Sequence, residues 1–247
     1  MKALVCVPSY DRPYVIDKRT GFWLKSLKDN PYKVFVEPDQ SLYYSQTFSN
    51  NNIVETGNKI GLYGQLIAIG KYGIENGYDL ITKIDDDTYF TDEKRKKTRA
   101  SEVFDDSLNE IKERFANNPK LGVVGFTRGM DYFYNKGKGF KTRKKPIYGT
   151  CVARPEVFAN LDPNFYTFAD LFISVVCKEL GYEIETYYNC NENRLDFTND
   201  GGLQSSNRKA LSLLTIERAI AKYPKCKIIE NGLHGDKITD LDVSFYV

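Results

Sequence analysis

With 247 residues, 41% hydrophobic and 28% charged, the chain is long enough to bury a core as one large α/β domain or two small ones, and its composition is that of an ordinary soluble protein. Its net charge of +2 hides an asymmetry: eleven basic residues fall in two acid-free segments, 94–99 and 136–145, leaving 24 basic against 33 acidic residues elsewhere. There is no run of 18 apolar residues, only five apolar residues separate Lys2 from Pro8, and five scattered cysteines form no CxxC pair; these features argue against a membrane span, a secretory signal and a disulfide scaffold, and lead us to expect free thiols in a reducing cytoplasm.

Residues 3–7 are a continuous apolar run stopped by Pro8-Ser-Tyr-Asp-Arg-Pro13, the way a central parallel strand ends before a functional loop. A helix is expected over 14–27, with Ile16, Trp23, Leu24 and Leu27 inward, then a strand over 32–36. That strand ends at Glu37, where an acid either accepts hydrogen bonds from a ribose or stands in a solvated turn. A short strand over 52–56 leads to residues 57–61, whose glycines lack P-loop order. The helix predicted over 63–76 is closed by Gly77.

The stretch from Leu80 to Phe90 is the centre of the sequence. A short apolar strand runs into Asp85, Asp86 and Asp87, followed by Thr88 and Tyr89. Three adjacent carboxylates repel one another, and a cation, a hydrogen-bonding turn or bulk water must relieve them. Hard oxygen ligands of this kind suit Mg²⁺ or Mn²⁺ shared with water and phosphate. A solvated acidic turn is the alternative.

After the first basic run, a helix is expected over 102–117 and a buried strand over 121–126. Residues 127–146 interleave Tyr132 and Tyr134 with Lys136, Lys138, Lys141, Arg143, Lys144, Lys145 and two glycines. They read as a flexible loop that either grips a polyanion while aromatics stack on bases, or is simply solvated. Further elements are a strand and turn over 146–155, helices over 156–161 and 171–180, and a strand over 182–186. A polar loop over 189–204, a helix over 208–222 and a strand over 226–229 follow. Asp170 stands at the mouth of the 171–180 helix, placed as an N-cap or as a functional acid. His234, the single histidine, lies in a glycine-flanked loop near the C-terminus.

Several of these stretches resemble GT-A-fold glycosyltransferases. Lys83-Ile-Asp-Asp-Asp-Thr-Tyr89 resembles their DxD motif, the 8–13 loop resembles their first-strand signature, and Asp170 and His234 follow in the order that the fold would have them. The resemblance implies a single α/β domain over 1–247 with a mostly parallel, Rossmann-like central sheet flanked by helices. Residues 1–90 would form the nucleotide-sugar half and 91–247 the acceptor half. It implies a donor pocket lined by Pro8, Ser9, Tyr10, Asp11, Arg12, Glu37, Lys59, Asp85 and Asp86. It further implies a Mn²⁺ (or Mg²⁺) ion on Asp85, Asp87 and His234, with Asp170 as general base.

Within that fold, the basic aromatic segment makes the chain most similar to phage TET-associated glycosyltransferases. That likeness implies transfer from a nucleotide sugar, a UDP-sugar foremost, to 5-hydroxymethylpyrimidines of DNA in the host cytoplasm. Tyr132, Tyr134, Lys136, Lys138, Lys141, Arg143, Lys144 and Lys145 would then face the DNA. A glycan or small-molecule acceptor, or a non-catalytic DNA-binding protein, are the other readings of the same residues.

Overall fold

The apolar run at the N-terminus forms β1 (Ala3–Pro8), buried along its whole length. Leu4 and Cys6 face one core while Ala3, Val5 and Val7 face another, so the strand lies at the centre of a sheet covered on both sides. The computed structural model describes residues 1–57, 61–94, 99–142, 146–193, 208–231 and 238–247.

Strand β1 is flanked in parallel by β2 (Tyr32–Val36) and β4 (Leu80–Lys83), and β3 (Ile53–Glu55) extends the sheet beyond β2. The other half contains β6 (Leu121–Arg128) and β9 (Glu183–Asn193), parallel to each other. Between the halves lies β8 (Cys151–Ala153), antiparallel to both β4 and β6. Two short antiparallel strands, β5 (Tyr89–Thr91) and β7 (Phe140–Thr142), pair with β9. Six of these nine strands therefore run in one direction, and their carboxyl ends share one edge.

One face of the sheet is covered by α4 (Gly61–Glu75), α7 (Pro155–Ala159), α8 (Ala169–Glu179) and residues of α9 (Arg208–Lys222). The other is covered by α1 (Pro13–Lys18), α2 (Thr20–Leu24) and α5 (Ala100–Asn117). The helix α3 (Ser41–Tyr44) follows β2, and α6 (Gly129–Asn135) follows β6. An antiparallel hairpin, β10 (Lys227–Asn231) with β11 (Ile238–Asp242), packs near α9. The expected α/β class with a single predominantly parallel sheet is what the chain forms.

Three departures from the expected elements have local causes. The helix expected over 14–27 is broken at Arg19, whose backbone (φ −117°, ψ −99°) leaves helical space between α1 and α2. The segment expected as a loop over 127–146 contains the end of β6, the helix α6 and the strand β7. Strand β9 runs seven residues past the end predicted for it, into the expected polar loop. Its register against β6 jumps from Tyr187 opposite Phe126 to Asn191 opposite Thr127. The Thr127 hydroxyl lies 3.1 Å from the Tyr187 carbonyl and 3.2 Å from that of Cys190, which holds the bulge. Periodicity alone does not carry a reader past such a bulge.

All five cysteines are buried as thiols. No helix of the described residues is long and apolar enough to cross a membrane.

Helices α4 and α7 approach so closely that a Cβ on Gly70 would sit 2.3 Å from the Ala159 nitrogen and 2.7 Å from the Pro155 carbonyl oxygen. Both neighbours are backbone, so they cannot swing aside. Gly70→Ala is expected to cost roughly 1–3 kcal/mol, seen as a lower urea midpoint at unchanged slope. An unchanged midpoint would mean that the two helices separate at no cost.

Candidate active site

Because β1 and β4 are parallel neighbours, the Pro8–Pro13 loop and the Asp85–Asp87 turn emerge side by side. Because β8 runs the other way, its start meets the end of β4: Lys83 pairs with Cys151, so Gly149 and Thr150 join the same edge. The carboxyl edge at such a crossover is where ligands bind in open α/β sheets.

The three aspartates are treated differently by the fold. Asp86 is 6% exposed and faces the first loop. Its Oδ2 accepts a hydrogen bond from the Ser9 hydroxyl (2.8 Å) and its Oδ1 pairs with the Arg12 guanidinium (3.1 Å). The Tyr44 hydroxyl lies 2.7 Å from Ser9 Oγ and accepts from the Arg12 backbone N–H (3.1 Å). A continuous polar chain thus ties α3 to the loop and the loop to the aspartate turn. Burial pushes the Asp86 carboxyl up from its ordinary range, against the opposing pull of Arg12 and Ser9. Burial likewise pushes Tyr44 up to about 12, so its phenol stays protonated.

Asp85 is only partly buried, and its Oδ1 lies 2.7 Å from the Lys83 ammonium. Lys83 is 2% exposed, and its ammonium also meets Asp170 Oδ1 at 3.3 Å and the Gly149 carbonyl at 3.5 Å. Asp170 Oδ2 accepts from the Gly149 N–H at 2.8 Å. One buried cation therefore bears on a carboxylate of the aspartate turn and on the acid of α8. Cys151 sits beneath this cluster, its thiol pushed well up by burial although Lys83 pulls it down. Asp87 is buried.

The backbone of the turn is held from the far side. The Thr20 hydroxyl donates to the Asp85 carbonyl (2.7 Å) and accepts from the Thr88 N–H (2.9 Å), while the Trp23 indole donates to the Thr88 carbonyl (2.8 Å). This explains the break at Arg19: the chain turns there so that Thr20 and Trp23 on α2 can hold the aspartate turn.

Asp170 stands in the first turn of α8, but Phe168 is the N-cap residue and Asp170 spends its carboxylate on Gly149 and Lys83, across the cleft. Phe168 itself has φ +63°, a left-handed backbone that is costly for an aromatic residue. The neighbouring Thr167 carbonyl accepts from the Tyr63 hydroxyl at 2.8 Å, which pins this turn to α4.

Other expected site residues are placed less centrally. Pro8 is buried, Tyr10 is 40% exposed, and Asp11 is an exposed residue at φ +54° whose N–H meets Gln40 Oε1. Glu37 is buried and its Oε1 accepts from the Gly61 N–H at the start of α4, so its carboxylate serves the helix end instead of standing in a solvated turn. Tyr132 was expected to face the acceptor; it is instead buried, because α6 turns it inward and presents Met130, Phe133 and Tyr134 to solvent. Lys136 pairs with Glu93 (2.8 Å), and Lys138 and Lys141 bond to Asn135. Lys59, Arg143, Lys144, Lys145 and His234 lie outside the described residues.

Sequence reasoning missed Thr20, Tyr44, Lys83 as a bridging group, and Glu192. The last is a buried acid whose Oε2 accepts from the Thr150 N–H at 3.0 Å. A lysine two residues before the aspartates was the available signal for Lys83; nothing local marks the other three.

Among the described residues no three His, Cys, Asp or Glu side chains gather as a metal shell. Carboxylates such as those of Asp85 and Asp87 have the chemistry of an ion that takes one or two of them and draws its other ligands from water and phosphate, as Mg²⁺ and Mn²⁺ do.

No family model and no curated protein matches the chain. Solved structures do. Glucosyl-3-phosphoglycerate synthase from Mycobacterium tuberculosis, in complex with Mn²⁺, UDP and phosphoglyceric acid, is 10% identical, with 97% of this chain and 85% of that chain covered at a TM-score of 0.54. The same enzyme with Mn²⁺, UDP-glucose and phosphoglyceric acid is 11% identical, covering 90% and 79% at 0.54. CMP:2-keto-3-deoxy-manno-octonic acid synthetase complexed with CTP is 12% identical, covering 88% and 100% at 0.50. At such identities the likeness shows the fold, a GT-A-like α/β arrangement, and the fold alone.

Replacing Arg12 by Met leaves Asp86 buried without its guanidinium, which should cost about 3 kcal/mol at pH 7. The Asp86 carboxyl already titrates above its ordinary range, and losing Arg12 raises it further. A carboxyl whose folded pKa exceeds its unfolded one favours the fold at low pH and loses that contribution as pH rises through the folded pKa. The deficit should therefore shrink toward pH 4 and grow toward pH 7 in urea melts with chelator present. A deficit independent of pH would mean that the pair does not carry the loop.

Proposed function

We propose that this chain is a metal-dependent glycosyltransferase that moves a sugar from a nucleotide sugar, a UDP-sugar foremost, to a hydroxyl acceptor. The observation that carries this reading is the meeting of the first loop, the aspartate turn and Asp170 at one sheet edge, joined through Lys83 and Asp86. Residues 1–90 would hold the donor and residues 91–247 the acceptor. The fold shared with enzymes solved with UDP, UDP-glucose or CTP supports the donor class.

In this reading Asp85 and Asp87, with His234, hold a divalent ion, Mn²⁺ or Mg²⁺, that neutralises charge on the leaving diphosphate. Pro8, Ser9, Tyr10, Asp11, Arg12, Glu37 and Lys59 surround the nucleotide, and Asp86 fixes the loop that carries the first five. Asp170, about a quarter exposed, keeps part of its carboxylate open to the cleft. If the reaction inverts, Asp170 takes the acceptor hydroxyl's proton as the oxygen attacks the anomeric carbon and the bond to the diphosphate breaks. If it retains, the same carboxylate orients donor or acceptor.

For the acceptor we propose a 5-hydroxymethylpyrimidine in phage DNA. The exposed Phe133 and Tyr134, beside Lys136, Lys138 and Lys141, supply stacking faces and phosphate contacts, with Arg143, Lys144 and Lys145 next in sequence. Such contacts would offset the few kcal/mol needed to flip a base. One observation favours a glycan or small-molecule acceptor instead: Lys136, Lys138 and Lys141 already bond within the protein.

The test is Mn²⁺-dependent release of nucleoside diphosphate from a panel of nucleotide sugars, with and without hydroxymethylated DNA. Wild type should turn over, and Asp170→Asn should lose roughly 10²–10⁴ in rate. Asp85→Ala and His234→Ala should lose the Mn²⁺-dependent turnover. Stimulation by modified DNA that fades as salt rises supports the DNA acceptor; turnover indifferent to DNA discards it, and no turnover on any donor discards the enzyme.

A further inference from the structure

Lys83 is an unusual group to find at a cation site. Its side chain is 3% exposed, and its ammonium lies 2.7 Å from the carboxylate expected to meet a divalent ion. Two positive groups cannot share Asp85 without repulsion. Yet the ammonium has a second berth in place, with Asp170 Oδ1 at 3.3 Å and the Gly149 carbonyl at 3.5 Å. Asp170 is itself fixed there by the Gly149 N–H at 2.8 Å.

We infer that Lys83 is the resident cation of this site: it occupies Asp85 until a divalent ion arrives with the nucleotide diphosphate, and then moves onto Asp170. This inference rests on the reading of Asp85 as a metal ligand. It gives Lys83 two roles. While the site awaits its donor, the ammonium opposes capture of a bare divalent ion, because the ion must displace a charge already in contact. The diphosphate changes that balance, since its negative charge holds the incoming ion without drawing only on Asp85. Once displaced, the ammonium draws closer to Asp170 and aligns that carboxylate, so loading of the donor side sets the geometry of the acceptor side. Lys83 is thus a positioning residue, since it acts on substrate through the two aspartates.

Binding of Mn²⁺ alone, followed by electron paramagnetic resonance of the free ion, with and without UDP, tests this. Wild type should hold Mn²⁺ weakly and gain at least about tenfold when UDP is added. Lys83→Met and Lys83→Gln should bind Mn²⁺ alone at least about tenfold tighter, because a unit charge in contact with Asp85 has gone, and should lose most of the gain from UDP. Both variants should fold, as Asp85 and Asp170 are about a quarter exposed and can be hydrated. Asp170→Asn approaches from the other side: with the second berth weakened, Lys83 stays on Asp85 and Mn²⁺ alone binds more weakly than in wild type. A purely structural lysine would weaken metal binding when removed, the opposite sign. Wild type that gains from UDP while both Lys83 variants bind no tighter overturns this inference alone; wild type that holds no Mn²⁺ even with UDP overturns it together with the metal-dependent reading.

Discussion

Three carboxylates in succession at the end of a buried strand are an electrostatic liability, and much of the surrounding architecture answers it. Asp86 goes to Arg12 and Ser9, Asp85 to Lys83, and the backbone between Asp85 and Thr88 to Thr20 and Trp23. The answers come from the loop after β1, from α2 and from β4 itself, so the turn keeps its shape only with β1 and α2 in place beside β4. Charge neutralisation is here partly local and partly tertiary: Lys83 stands two residues before Asp85, while Arg12 and Ser9 reach Asp86 from the first loop.

The sheet supplies those elements in the right order. The parallel pairing of β1 with β4 puts the first loop beside the aspartates, and the reversal of β8 brings Gly149 and Thr150 to the same edge. The bulge in β9 lets the strand pair with β6 and still reach β5, just past the aspartates. Tight packing beneath, as at Gly70 against α7, keeps the helices that carry Tyr63 and Asp170 at fixed height over the sheet.

The sheet was largely legible in the sequence, because its central strands are apolar runs ended by proline, glycine or acids. Residues 32–36 and 208–222 form the elements expected of them, and the aspartate turn stands at the expected strand end. What could not be read were features that depend on partners distant in sequence. The break at Arg19 makes sense only with Thr88 opposite Thr20, 68 residues away. Tyr132 could not be told from Tyr134 without knowing that the segment folds as α6, which buries one tyrosine and exposes the other. Asp170 resembled a helix cap because its partners, Lys83 and Gly149, are remote in the chain.

The reversed strand β8 is three residues long, and it alone joins the β4 ladder to the β6 ladder in the described sheet. The seam is narrow in hydrogen bonds but not in packing, because both cores run across it: Leu4 and Ile81 share one with Val123 and Ile184, and Val5 and Ile84 share the other with Val124 and Tyr187. A distortion of β8 would therefore be felt at once in the span between Lys83 and Asp170, since Cys151 lies opposite Lys83 in the ladder and the Gly149 N–H that holds Asp170 stands just before that strand.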